Sequence, residues 1–262
     1  MKGRHEPDYT VLDIATPLEQ LTCWRVGEPR DVVVQAAIAH NLTFIPVRDE
    51  KGLDGIISRE DLASGATPLP LTADWLLATD TSILEVIRLF AQQPGRVFLV
   101  LQASAVVGLV APADLNKIPA RASVYLLVAH FEMELARLLR LVLGGDEDFR
   151  PFFTASRWEK LHEDRLRQAR GDVELELLQM MDLGDITDVA RKHDGVRGLL
   201  GFASNSQCRK AMDLQGVRNR ISHPTRPLIE RREDIVELND ACGRLTDLHQ
   251  RIEKAISRAQ ER

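Results

Sequence analysis

The segment Gly55-Ile56-Ile57-Ser58-Arg59-Glu60-Asp61-Leu62 decides how this chain is read, because it returns as Gly108-Leu109-Val110-Ala111-Pro112-Ala113-Asp114-Leu115. The offset is 53 residues. It also lays Phe44-Ile45-Pro46-Val47 on Val97-Phe98-Leu99-Val100, Val33 on Val86 and Ala37 on Phe90, with no gap. A fixed period of this length marks an internal duplication. Each copy predicts an amphipathic helix (Val32 to His40; Ile83 to Gln92), then a short apolar strand. A turn follows (Asp49 to Gly52; Gln102 to Ser104), then a second strand (Leu53 to Ile57; Val106 to Val110) and the start of another helix. The expectation is an α/β module over residues 10–119, with repeats at about 10–66 and 67–119 joined by Thr67-Pro68-Leu69-Pro70.

The strand Phe44-Ile45-Pro46-Val47, the turn, and the Gly-hydrophobic-hydrophobic-Ser-x-x-Asp run at 55–61 resemble a pair of CBS domains, the repeats first recognised in cystathionine β-synthase. The resemblance implies a compact unit with two clefts, an adenine nucleotide (AMP, ADP or ATP) as regulatory ligand, and control of a fused domain. Ser58 and Asp61 are the candidate nucleotide-binding residues. A hydroxyl and free N–H groups at a strand-to-helix junction suit a phosphate, and a carboxylate one turn on accepts from ribose hydroxyls. Ser-x-x-acid is equally a helix capping box that needs no ligand. Ala111 replaces the hydroxyl residue in the second copy, so one working site, at Ser58 and Asp61, is expected and the other is expected to be altered or empty.

From Arg121 onward strand signals vanish, and residues 120–262 predict an all-helical bundle. Helices are expected at Ser123 to Leu143, ending at Gly144-Gly145, and from the capping box Ser156-Arg157-Trp158-Glu159 to Gly171. Shorter stretches follow at Leu175 to Met181 and Ile186 to His193. A helix from Asn205 to Ser222 closes at His223-Pro224, and a long charged one runs from about Glu230 to Arg262.

Arg218-Asn219-Arg220-Ile221-Ser222-His223 resembles the motif of the HEPN superfamily (higher eukaryotes and prokaryotes nucleotide-binding): Arg, a polar residue, a spacer, then His near a helix end. Tyr125 to Arg140 is similar to that family's first helix. Leu183-Gly184-Asp185-Ile186-Thr187-Asp188 is similar to a segment that precedes the motif helix in one subgroup. The resemblance implies a homodimer that pools two motifs in one cleft and cuts RNA without metal. Arg218, Asn219 and His223 are the candidate catalytic residues. Histidine exchanges protons near neutral pH, arginine clamps phosphate oxygens, and Asn219 lies about one turn before His223. Arg218 and His223 stand about 140° apart on an ideal helix, so convergence needs an unwound helix end or a second subunit. The alternative is structural: Leu214, Val217 and Ile221 form an apolar stripe that the Arg218 stem covers, and His223-Pro224 is a helix stop. An inactive bundle that docks RNA or a protein is a second alternative.

Charge placement fits an anionic partner. Residues 1–119 carry 10 Lys/Arg against 15 Asp/Glu, while residues 207–232 carry seven cations against Asp213 and Glu230. A stripe of this kind is read as an anion-binding surface or a solvated face. The N-terminus lacks the apolar core of a signal peptide. Cys23, Cys208 and Cys242 are odd in number and far apart, and the seven histidines show no metal-ligand spacing. A cytoplasmic protein with free thiols, no metal, no required cofactor and no membrane span is expected.

Overall fold

The computed structural model describes residues 9–50, 52–168 and 176–261. The chain divides into two compact units. One holds the described residues up to Val124 together with Pro224–Asn239; the other holds Tyr125–His223 and the described residues from Asp240. The expected boundary at 119/120 does not anticipate this return of Pro224–Asn239 to the first unit.

The first unit begins with α1 (Val11–Ile14), β1 (Thr16–Pro17), β2 (Trp24–Arg25) and α2 (Arg30–Ala39). The hairpin β3 (Phe44–Asp49) and β4 (Gly52–Ser58) follows, then α3 (Arg59–Ser64) and β5 (Leu69–Pro70). The second copy supplies β6 (Leu76–Ala78), α4 (Ile83–Gln92), β7 (Phe98–Gln102), β8 (Ala105–Val110) and a 3₁₀ turn at Pro112–Asn116. The repeat predicted from the sequence is therefore structural, and the two copies exchange strands. One sheet runs β2-β3-β4-β5, the other β1-β8-β7-β6. β5 pairs antiparallel with β4 (Ile56 with Leu69), and β1 pairs antiparallel with β8 (Leu109 with Thr16), positions related by the same 53-residue offset.

Alternation of side chains places successive residues on opposite sheet faces. Ile45, Val47 and Ile57 pack with Trp24, Val33, Ala37 and Leu62 beneath α2 and α3. Ile56 turns the other way and packs with Val97, Leu99 and Leu109. Glycine is required at one equivalent position in each copy. A Cβ on Gly55 would come 2.7 Å from the Leu69 carbonyl oxygen, and one on Gly108 would come 2.7 Å from that of Thr16.

The helical residues form α5 (Ile118–Leu143), α6 (Ala155–Gln168), α7 (Leu183–Lys192), α8 (Asp194–Leu199), α9 (Asn205–Ala211), α10 (Gln215–Ser222) and α11 (Arg232–Gln260). The α/β class of the first part and the helical class of the second are as the sequence predicts. Three local expectations are corrected. α5 starts at Ile118, ahead of Ser123. α6 is opened by Thr154, whose Oγ1 accepts from the Arg157 N–H at 3.3 Å, and Ser156 lies inside the helix. The expected end at Gly171 and the start at Leu175 fall outside the described residues. The third correction is a break in the predicted Asn205-to-Ser222 helix at residues 212–214. On one ideal helix Cys208 and Met212 would lie within about 40° of each other, with Leu214, Val217 and Ile221 on the opposite side. All five are buried, and the break lets α9 and α10 each turn its own apolar side inward.

Candidate functional site

Ser58 ends β4 and caps α3. Its Oγ accepts from the Asp61 N–H at 3.0 Å and donates to Asp61 Oδ2 at 2.6 Å. The neighbouring Arg59 N–H is taken by the Thr43 carbonyl at 2.9 Å. Two of the N–H groups that the sequence offers to a phosphate are thus engaged within the fold, and the capping geometry is realised. Ser58 lines a cleft of about 460 Å³ with Arg59, Trp75, Arg96 and Arg232; Asp61 does not line it. The Arg96 guanidinium stacks on Trp75 at 4.1 Å, and its buried Nε has no hydrogen-bond partner among the described residues.

The second copy keeps the carboxylate and changes its use. Asp114 accepts from the Ala111 N–H at 2.7 Å and pairs with Lys117 at 2.9 Å. Without a hydroxyl at Ala111 this junction nonetheless borders a cleft of about 700 Å³, lined also by Thr16, Thr22 and His40. Trp75, Arg96 and Arg232 escaped the sequence reading because none belongs to the repeated motif; Arg59 does belong to it, at the position that the second copy fills with Pro112. The signal for Arg232 was present as the end of the basic stripe.

In the helical unit, Arg218 and Asn219 lie on α10, and both line a cleft of about 760 Å³ with residues of α7 and α9. Arg191, Arg209 and Lys210 add positive charge to its wall. Arg191 is held at 2.7 Å by Asp188 and at 3.1 Å by Asn205. Burial alone would raise the Asp188 carboxyl, but hydrogen bonds from Arg191 and Lys192 outweigh it and hold it below the ordinary value. His223 is the C-cap of α10, with φ −113° and ψ 85°, so it leaves helical geometry. It is exposed and does not line the cleft that holds Arg218 and Asn219. Within one chain the structure brings two of the three motif residues to one wall and leaves the third at its edge of the helix.

The motif arginine has an acidic neighbour that the sequence reading missed. Burial pushes the Glu132 carboxyl on α5 above its ordinary value; the Arg218 charge pulls it back, and Asp182 pushes it further up. Cys208 and Cys242 are pushed up to about 11 and about 12 by burial, which keeps them as inert thiols. Among the described residues no group of three or more His, Cys, Asp or Glu is placed to hold a metal ion, and no helix is long and apolar enough to cross a membrane.

No protein-family model matches the chain, and no curated protein does. Among solved structures, the N-terminal part is similar to CBS-domain proteins. One is CBSX2 in complex with AMP (20% identity, 45% of this chain and 97% of that one, TM-score 0.37). Another is the CBS domain of a bacterial CNNM/CorC family Mg²⁺ transporter in complex with ATP (16% identity, 40% and 83%, TM-score 0.35). A third is the CBS domains of a transcriptional regulator from Streptococcus pneumoniae (17% identity, 42% and 98%, TM-score 0.35).

Proposed function

We propose that this chain is a nucleotide-regulated, metal-independent endoribonuclease that acts as a homodimer. The observation that carries the catalytic half is the placing of Arg218 and Asn219 together on the wall of a cation-rich cleft, beside a histidine that has left its helix. RNA brings its own nucleophile. His223 takes the proton from the 2′-OH as that oxygen attacks the adjacent phosphorus. The P–O5′ bond breaks, the departing oxygen takes the proton that a His223 imidazolium of the dimer gives up, and the products are a 2′,3′-cyclic phosphate and a 5′-hydroxyl end. Arg218 holds the anionic phosphorane by a planar fork of donors, and Asn219 orients the phosphate or the imidazole. A second subunit supplies the convergence that one helix denies. Leu126 and Met133, exposed and seven residues apart on α5, support a paired helical face.

Nucleotide sensing is assigned to the α/β unit, with Ser58 and the arginine-lined cleft receiving phosphate and Asp61, which accepts from the Ser58 hydroxyl, orienting it. The deciding experiment is RNA cleavage in chelator, with and without ATP or AMP, by wild type and His223→Ala. Loss of cutting by the variant supports the assignment; no cutting by the purified dimer under any of these conditions removes it. One observation favours a second reading, a non-catalytic bundle that docks RNA or a protein. His223 stands outside the cleft lined by Arg218 and Asn219.

A further inference from the structure

The two clefts of the α/β unit share a wall. Thr43, Phe44, Gly95 and Arg232 line both. Three of these belong to the repeats. Arg232 is the first residue of α11, far along the chain, and the fold takes trouble to deliver it. The Asn116 amide donates to the Ile229 carbonyl and accepts from the Ile229 N–H, each at 2.9 Å. A few residues on, the buried Asp234 carboxylate accepts from the N–H groups of Glu230 at 2.8 Å and Arg231 at 2.9 Å. The backbone on both sides of the helix start is thereby fixed.

The Arg232 head lies against Gly95. A Cβ there would come 2.8 Å from Nη2, and the glycine φ of +83° suits no other residue well. Arg231 pairs with Asp234, but the Arg232 side chain has no hydrogen bond or ion pair among the described residues. In the first cleft Arg232 joins Arg59 and Arg96 against one acid, Glu60. In the second it is the only Lys or Arg among the described lining residues, facing Asp114 and Glu230. Three guanidiniums in one cleft repel one another until an anion arrives, and the second cleft has one source of fixed positive charge. A nucleoside polyphosphate answers both conditions.

We infer that Arg232 is the phosphate-reading residue of both clefts, a single guanidinium shared between two ligand positions. This rests on the nucleotide-sensing half of the proposed function. One planar fork makes its paired hydrogen bonds to one phosphate at a time. A phosphate held in one cleft therefore withdraws the clamp from the other, and the effect is reciprocal.

The test is calorimetry on the full chain with ATP and with adenosine, which carries no phosphate. Arg232→Ala and Arg232→Gln are compared with wild type. Loss of a charge-assisted contact is expected to weaken ATP about tenfold or more and to leave adenosine unchanged, which also reports that the clefts remain folded. ATP binding to both variants as tight as to wild type overturns the inference and leaves nucleotide sensing standing. Equal weakening of ATP and adenosine overturns it too, since Arg232 would then shape the cleft rather than read phosphate. Failure of wild type to bind ATP, AMP and adenosine removes the sensing reading and the inference together.

Discussion

Asn116 and Ile229, 113 residues apart, hold each other by a two-way hydrogen bond: the side-chain amide donates to the Ile229 carbonyl and accepts from its N–H, both at 2.9 Å. Asn116 closes the last turn of the second repeat, so this pair ties Pro224–Asn239 to the α/β unit. Asn116→Ala leaves a part-buried donor and acceptor unsatisfied. The expected cost is about 1–3 kcal/mol, read as a lower denaturation midpoint. Asn116→Leu should be no better, because the unpaired backbone groups remain.

Ser58 separates capping from ligand binding. Ser58→Ala removes the cap of α3 and should destabilise by about 0.5–2 kcal/mol, whereas Ser58→Gly should cost only a few tenths. If Ser58 also holds phosphate, both variants lose ATP affinity by a similar factor. Recovery of affinity along with stability in Ser58→Gly would reduce Ser58 to a cap.

Gly55→Ala and Gly108→Ala each push a methyl toward a backbone carbonyl 2.7 Å away. Backbone cannot step aside as a flexible side chain can. Each change should cost about 1–3 kcal/mol, the range for an overpacked site, and thermal melts should show comparable losses because the two positions are equivalent in the duplication. A neutral result at either would mean that its edge strand separates freely.

Glu132 gives the helical unit a pH dependence of defined sign. Its carboxyl holds a proton to higher pH when folded than the ordinary 4.5, chiefly because of burial. The folded state therefore binds more protons than the unfolded state above that value. The associated stability is full below pH 4.5 and lost as pH rises. Glu132→Gln should flatten this fall and raise the melting temperature at pH 7. A variant that melts lower at pH 7 would show that the Arg218 attraction outweighs burial.

For catalysis, Arg218→Lys should cut RNA poorly, since lysine keeps the charge and loses the fork. His223→Ala should lose about 10²–10⁴-fold with the fold intact, because His223 is exposed at a helix end. Light scattering should report a dimer for the wild type and both variants. A monomer with full activity would remove the shared-cleft explanation.

The duplication was legible because two copies reinforce each other. The 53-residue register predicted both hairpins and α4 to the residue at its ends. Strand exchange was not legible: Thr16–Pro17 and Leu69–Pro70 are too short to carry a period, and their pairing is decided by the sheet they complete. The broken helix before the motif was predictable in hindsight, since Cys208 and Met212 fall opposite Val217 and Ile221 on one continuous helix. Arg218, Asn219 and His223 were singled out by their resemblance to a family motif, but the cleft wall that Arg218 and Asn219 share is not written in that motif. Glu132 was invisible to motif reading because the charges that act on it, Arg218 and Asp182, are distant in sequence, and Arg232 showed only as the end of the basic stripe.

The exchanged strands have a consequence for how copies of this chain can associate. β1 and β5 occupy an outer edge of their sheets, each only two residues long, and each ends in proline, Pro17 in one and Pro70 in the other. Proline has no N–H to offer an incoming strand, and a very short edge gives little template for one. The duplication has thus placed the same stopper on both sheets. On these two margins the α/β unit is closed to growth by strand addition, so crowding or partial unfolding should not recruit neighbours there into ribbons, and any pairing of chains through these margins must proceed by side chains.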